Sequence, residues 1–221
     1  MNKSKTTIII LVIIIVILGI GLYFSVTNTN SDADGTKSVS NSDLSDLNIG
    51  KNDNSAININ TTGKSYSIDY DIDKEQIVFT NEIFAYRAIL PDDWSIDKID
   101  DSMRVAFFDP VAKSQEFASE LLQGMKIEIY AEAGIEDAIL PDVVAEQMSQ
   151  YSADEIISQE NVVVSGEDAI KVITDIMGYS IVTYVLHNDI LYTIVGYVGD
   201  TNDKEKYGAK YSEIVAKFEF L

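Results

Sequence analysis

The chain has no cysteine and a single histidine, His187. Without cysteine there are no disulfides to stand in for a core, and no thiolate cluster to hold a metal. A lipid-modified anchor is excluded too, because it needs a cysteine near the end of an apolar leader. Zinc would have to recruit His187 plus scattered carboxylates, and a Ser-His-acid device would need the same imidazole. Neither a Gly-x-Ser-x-Gly elbow, a Walker-type loop nor a Gly-x-Gly-x-x-Gly turn occurs. Basic residues are scarce as well: 16 Lys and Arg stand against 36 Asp and Glu, a net charge of −20. No Lys/Arg block exists to follow a phosphate backbone, so no nucleic-acid partner is expected.

What the chain does have is one long apolar run. Ile8 to Phe24 carries 17 residues without a charge, preceded by Lys3 and Lys5 and followed first by Asp32 and Asp34. At about 1.5 Å per residue this nearly matches a hydrocarbon core of about 30 Å. A cleaved signal peptide has a shorter core and small residues at its exit, whereas this run leaves through GLYFSVTNTN. The expectation is a cytoplasmic stub over residues 1–7 and a single-pass signal anchor over residues 8–26, with the bilayer as a partner. The basic flank would stay inside and the remainder would lie outside the cell membrane. Of the basic residues 14 lie beyond residue 26, with all 36 acids, leaving that portion near −22. Such a surface repels anionic lipid and nucleic acid.

Residues 27–75 are dominated by Asn, Ser, Asp, Thr and Gly, with apolar residues isolated from one another. That composition buries too little to offset backbone entropy and predicts an acidic, polar linker. Asn60-Thr61-Thr62 is an acceptor sequon. Asp69, Asp71 and Asp73 alternate as in a calcium loop, but Lys74 stands where the loop needs Gly and Thr80 where it needs Glu. Tyr66, Ile68, Tyr70 and Ile72 alternate with polar residues, a pattern suited to a short edge strand.

From Gln76 onward the pattern is that of one α+β domain over residues 76–221, a mainly antiparallel sheet flanked by helices. Strands are expected over 76–81, 84–90, 104–108 and 125–131. In the last of these, Met125, Ile127 and Ile129 face one way and Lys126, Glu128 and Tyr130 the other. A helix follows over 136–151, with Pro141 placing its regular start. Four strands in meander order are then expected over 156–164, 168–176, 180–187 and 190–198. Ser165-Gly166, Gly178 and Asn188-Asp189 supply the turns. The last of the four is apolar on both faces, which suits a central strand covered on each side. A closing helix over 204–218 carries Tyr207, Tyr211, Ile214, Val215 and Phe218 on one stripe, with Thr201 or Asp203 as its cap.

Chemistry-bearing residues are few. Asp92, Asp93, Asp97, Asp100 and Asp101 surround Trp94, the combination of acids and an aromatic face found at carbohydrate sites; the alternative is a buried Trp94 with solvated acids. His187 beside Asn188-Asp189 reads as a hydrogen bonder at a strand end, and Ser165 as a turn serine. No catalytic, cofactor-binding or metal-ligating residue is expected.

Phe84 to Trp94, FAYRAILPDDW, resembles the opening of the PsbP/Mog1-like domain, with its extended segment ending in a Leu-Pro-x-x-Trp turn. Val105–Pro110, Met125–Ala131, Gly166–Ala169, Tyr184–Tyr192 and Ile214–Phe218 resemble its later landmarks in order. The resemblance implies an α/β/α sandwich around an antiparallel sheet. It brings no shared catalytic residues, and it covers photosystem II extrinsic subunits, a nuclear-transport factor that binds a small GTPase, and exported prokaryotic proteins of undefined role. The anchor and acidic tether depart from the thylakoid-lumen type, so no photosynthetic role is implied. The expected function is a membrane-anchored, non-enzymatic accessory domain that binds another envelope protein or a small ligand. The alternatives are a carboxylate-dependent envelope hydrolase acting on glycans near Trp94, and a purely structural surface domain.

Overall fold

The computed structural model describes residues 57–59, 66–100, 103–113, 121–135, 137–176 and 178–221. In chain order the strands are β1 (Ile57–Ile59), β2 (Tyr66–Asp71), β3 (Gln76–Asn81), β4 (Tyr86–Pro91), β5 (Ser95–Asp100) and β6 (Arg104–Phe108). They continue with β7 (Met125–Ala133), β8 (Ile156–Val164), β9 (Glu167–Asp175), β10 (Tyr179–His187), β11 (Ile190–Val198) and β12 (Glu219–Phe220). The helices are α1 (Pro110–Lys113), α2 (Leu140–Met148) and α3 (Lys204–Ala216).

Two antiparallel sheets result. One runs β1-β2-β3-β4-β12, the other β5-β6-β7-β11-β10-β9-β8. β3 and β4 alternate strictly, burying Ile77 and Phe79 against Tyr86, Ala88 and Leu90 while every second residue is only half-buried. β10 and β11 are buried on both faces, as the double-sided apolar pattern predicts for central strands. Tyr192, Ile194 and Val198 of β11 join a core shared by both sheets, by Tyr207, Tyr211 and Ile214 of α3 and by Phe218 just beyond it. Leu191 and Val195 point the other way, into a second core with Val144 and Met148 of α2. The layers are therefore α2, the seven-stranded sheet, and a layer in which α3 and the five-stranded sheet pack on the opposite face.

The four-strand meander stands as read from the sequence, with β8, β9, β10 and β11 paired consecutively. Its two tight turns place Ser165, Asn188 and Asp189 at positive φ, which polar turn residues tolerate. α2 begins at Leu140 with Pro141 in its first turn, shorter than the helix expected from residue 136. Asp203, one of the two expected caps, takes the cap position of α3 but makes no side-chain cap bond. Asp200 accepts from the backbone N–H of Asn202 at 2.9 Å and caps a 3₁₀ turn over Thr201–Asp203, which runs into the helix.

Two findings depart further. β1 and β2 fall within the stretch 27–75 read as a linker; β2 is the strand that the alternation at Tyr66, Ile68 and Tyr70 suggested, paired along its whole length with β3 and with β1 on its other side. Asp69 and Asp71 thus lie on an extended strand, where they cannot wrap a cation, and Asp71 instead pairs with Lys74 at 2.8 Å. Second, no helix among the described residues is long and apolar enough to cross a membrane. The longest, α3, has 13 residues, about 20 Å against the roughly 30 Å of a hydrocarbon core. The membrane-anchored reading is corrected on that ground. The described fold holds no spanning element, and it supports neither the bilayer partnership nor a single-pass topology with a cytoplasmic amino terminus. The run 8–26 that carried this expectation, the stub 1–7 and the sequon at 60–62 lie outside the described residues.

Candidate functional site

The acids around Trp94 do not assemble a glycan site. Trp94 closes the turn after β4, its N–H bonding to Pro91 O at 3.2 Å, and its side chain is 0% exposed. The Lys210 ammonium of α3 sits 5.2 Å from the ring centroid, so no face of the indole is open to a sugar. Asp92 and Asp93 point into solvent, and nothing is described of the side chains of Asp97, Asp100 and Asp101. The depression beside them is shallow and of mixed charge, lined by Lys74, Asp92, Asp93, Lys210, Glu213 and Lys217. Lys217 already pairs with Glu213 at 2.8 Å, as Lys74 does with Asp71.

His187 and Ser165 are both engaged. His187 Nδ1 lies 2.9 Å from Glu167 Oε1, and Nε2 lies 2.9 Å from the amide nitrogen of Asn188. An amide NH₂ only donates, so Nε2 accepts and Nδ1–H donates to the carboxylate. The ring stacks on Phe220 with centroids 4.2 Å apart. Ser165 Oγ accepts from the Phe220 backbone N–H at 3.3 Å. The imidazole is a strand-end hydrogen bonder and the serine belongs to a turn, the roles the sequence assigns them. Among the described residues no group of three or more His, Asp or Glu could hold a metal ion.

A charged centre that the sequence does not announce lies on the α2-side face of the seven-stranded sheet. The side chain of Glu128 on β7 is 2% exposed. It accepts from the Arg104 guanidinium on β6 and the Tyr130 hydroxyl, and Lys126 Nζ lies 3.1 Å away. Burial alone would push this carboxyl up. The charges of Lys126 and Arg104 and the hydrogen bonds from Tyr130 and Arg104 outweigh it and hold the group below the ordinary carboxylate value. Tyr130 and Tyr197 are pushed far above an ordinary phenol, first by burial and then by the adjacent Glu128 charge. The Lys126 ammonium lies 4.5 Å over the Tyr197 ring, and the Arg104 guanidinium 5.4 Å over that of Tyr130. Arg104, Lys126 and Tyr130 converge on one carboxylate, the buried Arg104 Nε having no hydrogen-bond partner among the described residues, and the network ties β6, β7 and β11 together as a structural centre.

The surface with unspent bonding capacity is β8. This nine-residue strand pairs with β9 alone and forms one end of the seven-stranded sheet. From residue 157 to 161 it is exposed, and two large apolar side chains stand in water, Ile157 at 54% and Val163 at 67%. The charge around it is predominantly acidic. Between Lys126 and Lys171 there is no Lys, Arg or His, while 11 acids fall in that span. Asp142 and Glu146 on α2, Asp154 and Glu155 before β8, and Asp168 after its turn are exposed or at the rim. On the strand itself Glu160 meets Lys171 Nζ of β9 at 2.5 Å. Sequence reading places β8 correctly but not its exposure at the end of the sheet. The signal within reach was the 44-residue gap in basic residues.

The sequence matches no family model and no curated protein. Among solved structures, the cyanobacterial PsbP (CyanoP) of Synechocystis sp. PCC 6803 aligns over 66% of this chain and 93% of its own, with 9% identity and a TM-score of 0.48. The Ran-binding protein Mog1p of Saccharomyces cerevisiae aligns over 62% and 90%, with 13% identity and a TM-score of 0.40. A protein of unknown function from Pseudomonas aeruginosa, a putative regulator by its description, aligns over 59% and 88%, with 16% identity and a TM-score of 0.40. These are distant likenesses to PsbP- and Mog1-like folds.

Proposed function

We propose that this chain is a non-enzymatic accessory domain of PsbP/Mog1-like descent that binds another protein through the side formed by β8 and α2. The single observation that carries the reading is an open nine-residue strand bearing exposed Ile157 and Val163 within a predominantly acidic surround, where Lys171 of β9 is already paired with Glu160. The described residues that looked chemical are otherwise occupied: Trp94 by the core, His187 by Glu167 and Asn188, Glu128 by its own cations. The descent rests on the ordered landmarks from Phe84 to Phe218. A carboxylate hydrolase at Trp94 loses its aromatic platform to burial.

A photo-crosslinking side chain placed in the full chain at Ile157, at Val163 or at Ile83 tests this. Ile83 is also exposed, at 59%, in the β3–β4 turn. The expected result is one and the same partner protein joined at 157 and 163 and absent at 83. Equal capture at all three positions, or different proteins at 157 and 163, overturns it.

A further inference from the structure

We infer that β8 accepts an extended, basic segment of a partner protein as an additional strand of the seven-stranded sheet. The inference rests on the binding-domain reading above and specifies how that surface is used.

The hairpin register supplies the first argument. β8 and β9 are joined by Ser165 and Gly166, both at positive φ (52° and 88°), the two-residue turn whose twist matches its strands. In such a hairpin the pair flanking the turn, here Val164 and Glu167, exchanges both main-chain bonds, and the pattern alternates from there. The wide pairs are then Val163–Asp168, Asn161–Ile170 and Gln159–Val172. Val163, Asn161 and Gln159 therefore direct their N–H and C=O groups away from β9, toward solvent. An added strand would gain about six main-chain bonds from these three residues.

The second argument is that this edge is unguarded. Folded proteins blunt sheet edges with lysine, proline or bulges. The opposite end of the same sheet follows that rule: β5 carries Lys98 and a bulge between Ile96 and Lys98. β8 contains neither lysine nor proline, and its bulge, between Ile156 and Ser158, lies before the three outward-facing residues. Val163 and Ile157 add exposed apolar area beside the open groups, where β-branched partner side chains would pack.

Charge selects the occupant. Asp154 and Glu155 lie before the strand, Glu167 and Asp168 follow it, and Lys171 of β9, the cation that faces the strand, is already paired with Glu160. A second copy would bring the same acids to the same edge, on a chain of net charge −20, so self-pairing is opposed. The segment that fits alternates Lys or Arg with β-branched residues.

The probe is a synthetic nine-residue peptide alternating lysine and valine, compared with a glutamate–valine peptide and a lysine–glycine peptide, each added to the full chain. Amide exchange is followed by NMR. The expected result is at least tenfold slower exchange at Gln159, Asn161 and Val163 with the lysine–valine peptide alone, and affinity that falls as salt rises. Asn161→Pro blocks the edge without removing a β9 bond, and Val163→Lys opposes the cations; each should weaken binding at least tenfold with an unchanged melting temperature. Binding without protection at those three amides overturns strand addition, as does equal binding of the lysine–glycine peptide. Equal binding of the glutamate–valine peptide overturns the basic occupant. Dimerisation of the chain abolished by Asn161→Pro would name a second copy instead and overturn the proposal. If crosslinking at 157 and 163 still captures one partner while the lysine–valine peptide does not bind, strand addition fails and the binding-domain reading survives; if both fail, both fall.

Discussion

Tyr211 of α3 lies directly against the backbone of Gly196 in β11: a Cβ built on that glycine would stand 2.5 Å from Tyr211 Cδ2. The close approach lets the Tyr211 hydroxyl reach into the sheet, 2.7 Å from Thr183 Oγ1 and 2.9 Å from Ile194 O. Gly196→Ala should destabilise the fold by about 1–3 kcal/mol, because a rigid ring and backbone must part to admit one methyl. Tyr211→Phe should cost about 1–2 kcal/mol, leaving Thr183 buried with one partner fewer. Urea denaturation of both variants measures this, and a Gly196→Ala variant as stable as the parent would show that the ring moves freely.

Glu128 should make stability fall in acid. Its carboxyl is held below the ordinary value of 4.5, so the unfolded chain takes up the proton more readily than the folded one. The contribution is complete above the unfolded value and is lost as pH falls through the folded value. Glu128→Gln should cost about 3–5 kcal/mol at neutral pH by leaving Arg104 and Lys126 half-buried without their carboxylate. It should also flatten the acid limb of a plot of urea midpoint against pH. A variant with an unchanged slope would place the acid sensitivity elsewhere.

Alkaline behaviour should be equally directional. Burial pushes the Tyr192 phenol up to about 12, and Tyr184 and Tyr211 are raised further by the same cause. The unfolded chain ionises its tyrosines near 10, so their stabilising effect is intact below that pH and lost as pH rises above it. Phenolate absorbance should rise in two stages, exposed tyrosines first and the buried set together with loss of the fold.

Trp94 is the only tryptophan and is fully buried. Its fluorescence should be insensitive to iodide in the folded chain and become quenchable on unfolding. Strong quenching under native conditions would reopen the carbohydrate reading.

The meander from β8 to β11 was legible because its strands are rich in β-branched and aromatic residues and each turn carries residues that tolerate positive φ: Ser165, Gly178, Asn188 and Asp189. β5 was not, since three of the six residues of SIDKID are charged and the strand owes its conformation to a neighbour, β6. β12 is two residues long and exists only as a partner of β4. The same non-locality hid Glu128. Its alternation with Ile127 and Ile129 marked it as the solvent side of a strand, and that face is instead covered by Tyr130, Tyr197 and an arginine 24 residues earlier. For the same reason a hydrogen bond from Tyr192 to Phe84 O, 108 residues apart, had no trace in local pattern.

Because α3 rests its aromatic stripe on both sheets at once, Tyr86 stacks on Phe218 and Phe79 meets Phe107 across the layer between them. The five-stranded sheet consequently has no interior of its own, and the seven-stranded sheet shares one of its two faces with it. Calorimetry should record one transition for them, and a protease that nicks either sheet should release no fragment able to stay folded alone.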